Sequence, residues 1–454
     1  MKSHLPEQVY LAAPVWVQNL LVSLLGIKEH GNRYGGKHDA FYKNLIKNKY
    51  ESEDHLNKAT TKRLDKILQD ALTHVPYYKS LNIQNPVLTE FPLLDRQIVA
   101  QQPEQFVSDQ YNPGRLMTLY TGGSTAMPVK VYISKDVRRK SYTFWRQFYS
   151  NMGFDIGDKK ASFVGRMVQK PDNDKPPFWR YNLIDRQLVF SSYHLSEKNI
   201  PKYLDKLNRF EPKIIEGYPL TIYRLADYIL THNVKSPPRL AGISTSSESF
   251  TNLHRETIEK AFNCKMFDQY GSAESVVFAS ECAYGKMHIE PEYGLLEVIT
   301  ENGDVKAEGK GELVATTLLN DVMPLIRYRI GDMGEIINEK CICGRNTLIL
   351  KELVGKVGSV IVNGDKQVPT AAIAIAFEYL EGIKNAQIIQ NSADAVVVKL
   401  ARKPNFNPKS EDFMIWELRK MLGESLKISV EYVTDIPPEA NGKYKMVVQN
   451  FLRL

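Results

Sequence analysis

The residues best able to do chemistry fall into short clusters. Tyr120-Thr121-Gly122-Gly123-Ser124-Thr125 is a Gly/Ser/Thr loop directly after the apolar run Leu116–Leu119. Glycines let a backbone turn successive amides toward an anion, and the hydroxyls add short donors to phosphate oxygens. Alone, such a loop is equally well read as a surface turn. It is not a P-loop, since GxxxxGK[ST] is absent, and no GxGxxG stands in a strand–helix setting. Glu274, Asp332 and Lys443 are charged candidates that singly read as an N-cap-turn carboxylate, a turn residue after Gly331 and a solvated lysine. No Ser–His–Asp or Cys–His arrangement offers a nucleophile. The cysteines form a second cluster. Cys341-x-Cys343-Gly344 is a tight turn, and upstream Cys282 and His288 lie a short stretch apart. Three thiolates and one imidazole complete a closed, structural Zn²⁺ site; the bland alternative is a core Cys282 and a plain CxCG turn. Cys264 is left over as a small buried hydrophobe.

The elements that must position these residues belong to a chain of 454 residues, long enough for two or three domains. With 43% hydrophobic and 24% charged residues it has the balance of a folded soluble protein. The charge of +7 suits an anionic ligand or an acidic membrane surface, and the absence of a dense basic tract argues against nucleic acid as a partner. Four cysteines make no disulfide framework and fit a reducing cytoplasm. Val9 to Leu25 is apolar but interrupted by Pro14, Gln18 and Asn19, and falls short of a bilayer span. After Pro14, the apolar residues Trp16, Val17, Leu20, Leu21, Leu24 and Leu25 recur at helical spacing. Such a stripe is expected to pack on the protein's own core, with an interfacial helix touching a membrane as the alternative.

Leu64, Ile67, Leu68, Ala71, Leu72 and Val75 predict an amphipathic helix ended by Pro76. From there to about residue 350, short β-rich runs alternate with helical stretches. Lys213–Glu216 precedes a helix at Leu220–Thr231, and Ala241–Ser244 precedes one at Leu253–Phe262, which predicts a largely parallel sheet. Gly294–Thr300 and Gly311–Thr317, joined through Glu301-Asn302-Gly303, read as antiparallel. Beyond Gly355 a unit of roughly a hundred residues is expected. Its elements are a strand at Ser359–Val362, a helix at Thr370–Leu380, strands near 386–390 and 395–400, a helix at Ser410–Leu422 and a closing strand at Ile428–Val433.

Five segments in order resemble the adenylate-forming superfamily. They are the Thr121–Thr125 loop, Tyr270-Gly271-Ser272-Ala273-Glu274, Tyr328-Arg329-Ile330-Gly331-Asp332, Gly355-Lys356 and Asn441-Gly442-Lys443. His74-Val75-Pro76-Tyr77-Tyr78, Glu216-Gly217-Tyr218-Pro219 and Met323-Pro324-Leu325-Ile326-Arg327-Tyr328-Arg329 are similar to phenylacetate–CoA ligases. The opening, with Arg33-Tyr34-Gly35, looks more like the capsular polysaccharide biosynthesis (CapK-like) subgroup. The resemblance implies an α/β fold: a large multi-subdomain N-terminal adenylation domain (1–354) and a small α+β C-terminal lid domain (355–454). It implies ATP and Mg²⁺, with Tyr270 on adenine, Glu274 on Mg²⁺, Asp332 on the ribose and Lys443 bridging carboxylate and α-phosphate. Gly271, Ser272, Lys356, Ser247 and Glu248 line the nucleotide, and Tyr193 and Tyr218 the acid. Some relatives also carry cysteine and histidine positions of the Zn²⁺ type.

The implied reaction joins a small carboxylic acid to ATP as an acyl-adenylate. The acyl group then passes to CoA or, in the alternative, to an amine or hydroxyl of an amino sugar. A homodimer and peripheral membrane contact through the N-terminal helix stay open beside a cytoplasmic location, as does a catalytically idle scaffold. Two departures bear on these expectations. Ala126-Met127 replaces the family's Gly and Lys before Pro128, with Lys130 the nearest substitute charge, and Val357-Gly358-Ser359 replaces the hinge Asp.

Overall fold

A computed structural model describes residues 5–121, 128–170, 172–356, 360–364, 366–369, 373, 376, 377, 380–439 and 442–450, the side chains of 5–8, 354, 356, 360, 367 and 369 excepted. The chain begins with four helices, α1 (Leu5–Ala12), α2 (Val15–Tyr34), α3 (His38–Asn48) and α4 (Glu53–His74). Ser52 caps α4 by accepting the His55 N–H, and Pro76 stops it and opens a short separate turn, Pro76–Lys79. Leu68 and Ala71 are buried from α4, as the period predicted. A hairpin follows, β1 (Met117–Tyr120) with β2 (Lys130–Ile133).

The main sheet takes β3 (Lys160–Phe163), β4 (Trp179–Asn182), β5 (Gln187–Phe190), β6 (Ile214–Gly217), β7 (Gly242–Ser246), β8 (Met266–Gly271), β9 (Phe278–Glu281), β10 (Met287–Ile289), β11 (Gly294–Ile299), β12 (Val305–Lys306), β13 (Gly309–Thr317), β14 (Tyr328–Ile337) and β15 (Ile349–Lys356). Their order is β12-β11-β13-β14-β15-β10-β9-β8-β7-β6-β3-β5-β4. The run β5-β3-β6-β7-β8 is parallel, with a helix before each of β6, β7 and β8, and the run from β8 through β9 to β12 is antiparallel. Both halves follow the sequence reading, except that the Glu301-Asn302-Gly303 turn leads first into the two-residue β12.

After β15 a hairpin, β16 (Val360–Asn363) with β17 (Lys366–Pro369), leads to a second sheet. It holds β18 (Ile383–Ser392), β19 (Ala395–Arg402), β20 (Lys427–Val433) and β21 (Val447–Gln449) in the order β20-β19-β18-β21. A helix at Pro408–Leu422 buries Met414, Leu418 and Leu422 in this unit's own core with Ile388 and Val398. Most of the helix expected at Thr370–Leu380 lies outside the described residues. The strand Ile428–Val433 does not close the unit, because β21 adds in parallel on the far side of β18. The fold is the α/β one expected.

One expectation is overturned. The apolar stripe of α2 is not core: Trp16 is 70% and Leu24 53% exposed, whereas Gln18 is 3% exposed. The polar side of α2 faces the protein because β4 is a sheet edge with unpaired N–H groups. Asn19 Oδ1 accepts the Tyr181 N–H at 2.9 Å and Ser23 Oγ accepts the Leu183 N–H at 3.1 Å. Gln18 meets Arg180, and His30 Nδ1 lies 2.8 Å from Asp185. Gly26 sits where an added Cβ would collide with Asn182 Oδ1.

Candidate active site and metal centre

In an open α/β sheet, ligands gather at the carboxyl ends of the parallel strands. Here β3, β6, β7 and β8 end side by side in Val164-Gly165, Tyr218, Ser246-Ser247-Glu248 and Tyr270 to Glu274. Three of the sequence-derived segments therefore meet at one edge, with Val164-Gly165 beside them. Ser247 holds φ +73°, a strained conformation for a residue other than glycine.

Tyr270 and Asp332 are brought together, with the Tyr270 hydroxyl donating to Asp332 Oδ2 at 2.8 Å. Burial and the carboxylate push the Tyr270 phenol well above its ordinary value. Asp332 also pairs across β14–β15 with Lys356, whose side chain is not among those described. Ser272 lies in the turn after β8, and its buried Oγ has no partner among the described residues. A donor so placed is what a ligand oxygen would satisfy.

Glu274 is 4% exposed and accepts from Tyr328 at 3.0 Å and from the Arg96 guanidinium at 3.1 Å. The other Arg96 amino group donates to Thr121 Oγ1 at 2.5 Å, and that oxygen also accepts the Val129 N–H at 2.9 Å. Arg96 thus ties the base of the Gly/Ser/Thr loop to the acidic candidate. Gly122, Gly123, Ser124 and Thr125 themselves lie outside the described residues, as do Ala126, Met127 and the hinge residues 357–359. Sequence reasoning missed Arg96, which stands in no motif. Leu94 positions it, exchanging backbone bonds with Arg327 (2.9 Å) and Arg329 (3.0 Å). The Tyr78 hydroxyl adds to this frame, donating to Pro324 O at 3.1 Å and accepting the Ile326 N–H at 3.0 Å. Lys130, the expected substitute charge, is engaged elsewhere: it pairs with Glu104 at 3.1 Å and lies over the Tyr132 ring.

The acid candidates converge on one loop. The Tyr193 and Tyr218 hydroxyls donate to Gly165 O (3.0 Å) and Val164 O (3.3 Å). Lys443 comes from the C-terminal segment, and its ammonium stands 5.6 Å from the centre of the Tyr218 ring. Its neighbour Tyr444 donates its N–H to Glu248 at 2.7 Å and its hydroxyl meets Arg224, which also pairs with Asp435 at 2.9 Å. Burial raises the Glu248 carboxyl to about 7. Asn441, the first residue of that motif, is outside the described residues.

The cysteine cluster is assembled from distant segments. Ligand atoms of Cys282, His288, Cys341 and Cys343 all lie within 4.8 Å of one another. The Cys282 and Cys341 sulfurs are 3.8 Å apart, and Cys343 Sγ is 3.3 Å from His288 Nε2. A tetrahedron with Zn–S near 2.3 Å and Zn–N near 2.0–2.1 Å requires separations of about 3.8 and 3.5 Å. The four donors therefore fit zinc. His288 Nδ1 is 3.0 Å from Thr347 Oγ1, the outer contact that fixes which nitrogen faces a metal. Burial, with Arg345 and Lys49 nearby, lowers His288 to about 3, keeping the ring neutral. Cys264 lies apart, half-buried against the core that holds Ile258, Phe262 and Met266.

Similarity to known proteins extends over most of the chain. Residues 360–450 match the family described as the CapK C-terminal domain. The chain is 28% identical to protein CapK of Staphylococcus aureus across 97% of its own length and 99% of that protein's. It is 29% identical to the phenylacetate-coenzyme A ligase of Thermus thermophilus over 40% of this chain and 42% of that one. In fold it is similar to 2-hydroxyisobutyryl-CoA ligase in the postadenylation state with R3-HIB-AMP, at a TM-score of 0.68, 17% identity and coverage of 89% and 91% of the two chains. The chain is thus similar over nearly its whole length to protein CapK and over part of it to phenylacetate-coenzyme A ligases, and its fold is that of a CoA ligase.

Proposed function

We propose that this protein activates a carboxylic acid with ATP as an acyl-adenylate and then passes the acyl group to the thiol of CoA. The observation that carries the reading is the meeting of Lys443 with Tyr218 and of Tyr444 with Glu248, at the strand ends that also bear Tyr270 and Glu274. In the first step a carboxylate oxygen attacks the α-phosphorus, the bond to the β-phosphate oxygen breaks and pyrophosphate leaves. The attack brings like charges together, so fixed positive charge lowers its barrier. Lys443 supplies one such charge to carboxylate and α-phosphate. Arg96 supplies a second beside Thr121, in a chain whose loop lacks the family's lysine. Tyr270 stacks on the adenine, Asp332 accepts from the ribose hydroxyls, and Gly271, Ser272, Ser247 and Lys356 complete the nucleotide's surroundings. Glu274, a buried oxygen donor, would hold Mg²⁺, which when bound neutralises phosphate charge.

In the second step the CoA sulfur attacks the acyl carbon, the carbon–oxygen bond of the mixed anhydride breaks, and AMP leaves. We read residues 1–354 as the adenylation domain and 355–454 as a lid whose closure delivers Lys443 and keeps water from the anhydride. Cys282, His288, Cys341 and Cys343 would hold a structural Zn²⁺ that cross-links β9 and β10 to the segment before β15. All four cysteines are free, which supports a cytoplasmic setting. A second acceptor deserves a test, because the match to CapK spans the whole chain while that to the phenylacetate ligase spans 40%. This is an amine or hydroxyl of a sugar. The deciding experiment is acid-dependent ATP–pyrophosphate exchange, followed by AMP release with CoA or with amino sugars as acceptor. AMP release that needs CoA supports the ligase; release that needs the sugar supports the alternative.

A further inference from the structure

Helix α2 presents its apolar side outward. Trp16, Leu20, Leu24 and Ile27 follow one another at i, i+4, i+8 and i+11 and are 51–70% exposed. Leu21 and Leu25 widen the stripe toward the exposed Lys28. The arrangement is locked: the opposite side of the helix carries Gln18, Asn19, Ser23 and His30, and each is bonded to the β4 edge or to the turn after it. Rolling the helix to bury its leucines would strip the Tyr181 and Leu183 N–H groups of their acceptors, a cost as large as the hydrogen bonds themselves. The turn after β4 extends the patch, since Leu183 is 63% exposed and held against Ser23.

We propose that this face lies in the interfacial layer of an anionic lipid bilayer. An exposed helix with a projecting loop leucine suits a fluid surface better than it suits a rigid groove. A helix of 20 residues extends about 30 Å along such a surface, with its apolar side sunk into the headgroup–acyl boundary. The charge beside the patch has the matching sign. Lys28 and Arg186 are exposed there, while the nearest acids are engaged: Asp185 with His30, and Glu29 with Arg33 at 3.7 Å and Arg138 at 3.9 Å. Trp16 at one end is the residue type enriched at membrane–water interfaces. No helix among the described residues is long and apolar enough to cross a membrane, so the contact is one of lying on the surface. It would hold the enzyme beside a membrane-borne acceptor or an acyl chain leaving the bilayer.

Flotation of the full chain with vesicles of phosphatidylcholine, with and without 30% phosphatidylglycerol, tests this. The expected result is flotation with the anionic vesicles, weakened by 0.5 M salt. Leu20→Glu/Leu24→Glu should reduce it at least about tenfold while the unfolding midpoint is kept. As a second reading, brominated lipid should quench part of the wild-type tryptophan fluorescence and less of it in Trp16→Phe. A chain that stays in the buffer with anionic vesicles overturns the proposal, as does equal flotation of the double variant. Sedimentation showing a dimer that Leu20→Glu/Leu24→Glu converts to monomer also overturns it and assigns the face to a second copy. None of these readouts needs catalysis, so their failure is distinct from failure of the ligase reading.

Discussion

Gly442 rests directly on Gly165: a Cβ built on Gly442 would stand 2.6 Å from the Gly165 Cα, and Gly442 holds φ +80°. The loop after β3 and the C-terminal segment thus meet backbone to backbone. That close approach is what lets the next residue, Lys443, reach the Tyr218 ring.

Gly442→Ala should therefore loosen this docking. The obstacle is backbone, which cannot swing aside as a flexible side chain can, and the left-handed φ adds strain. A cost of about 1–3 kcal/mol on the docked arrangement corresponds to a roughly 5- to 150-fold slower exchange reaction. Binding of ATP, measured calorimetrically, should change little. Equal loss of binding and exchange would speak against the docking role.

Removing Arg96 should cost stability because it strands a buried carboxylate. We expect Arg96→Ala to lower unfolding free energy by about 3 kcal/mol in denaturant titrations. Adding Glu274→Gln in the same chain should restore most of that loss, since the uncompensated charge is then gone. Strictly additive losses would mean that the 3.1 Å contact carries little energy.

Zinc should be present at one ion per chain by atomic emission in protein purified without chelator. Cys343→Ser should abolish it and lower the unfolding midpoint, while exchange activity at low temperature persists. Metal-free protein whose midpoint ignores chelators would leave the four donors a plain turn.

Glu248 gives a signed pH dependence. Its folded value is raised to about 7 by burial, above the ordinary 4.5, so its contribution to stability is full below about 4.5 and is lost as pH rises through 7. The whole contribution is about 3 kcal/mol, most of it lost between about pH 4.5 and 7. Asp268, raised to about 8 by burial and by Glu281, acts in the same direction. Glu248→Gln should shrink the decline in unfolding midpoint between about pH 5 and 7 without abolishing it. An unchanged profile would contradict this assignment.

The segments around Tyr218, Ser247 and Glu274 were legible because they lie at strand ends, where composition reflects turning and not packing. The alternation of strands and helices likewise gave β6, β7 and the helices after them nearly to the residue. Arg96 was not legible, since it acts through Leu94 pairing with Arg327 and Arg329, more than two hundred residues away. β21 is three residues long and finds its partner across the whole unit, so no local period marks it. For α2, the helical period was right and the buried side wrong. Hydrophobic periodicity assumes that the protein's interior is apolar, whereas here the helix covers a strand edge that demands polar partners.

ATP–pyrophosphate exchange, measured with a panel of aryl, fatty and amino acids in the wild type and in Lys443→Ala, tests acyl-adenylate formation at this site. We expect exchange with at least one acid, and its near loss in Lys443→Ala while ATP still binds. ATP binding without exchange for any acid, or full exchange in Lys443→Ala, would contradict acyl-adenylate formation at this site.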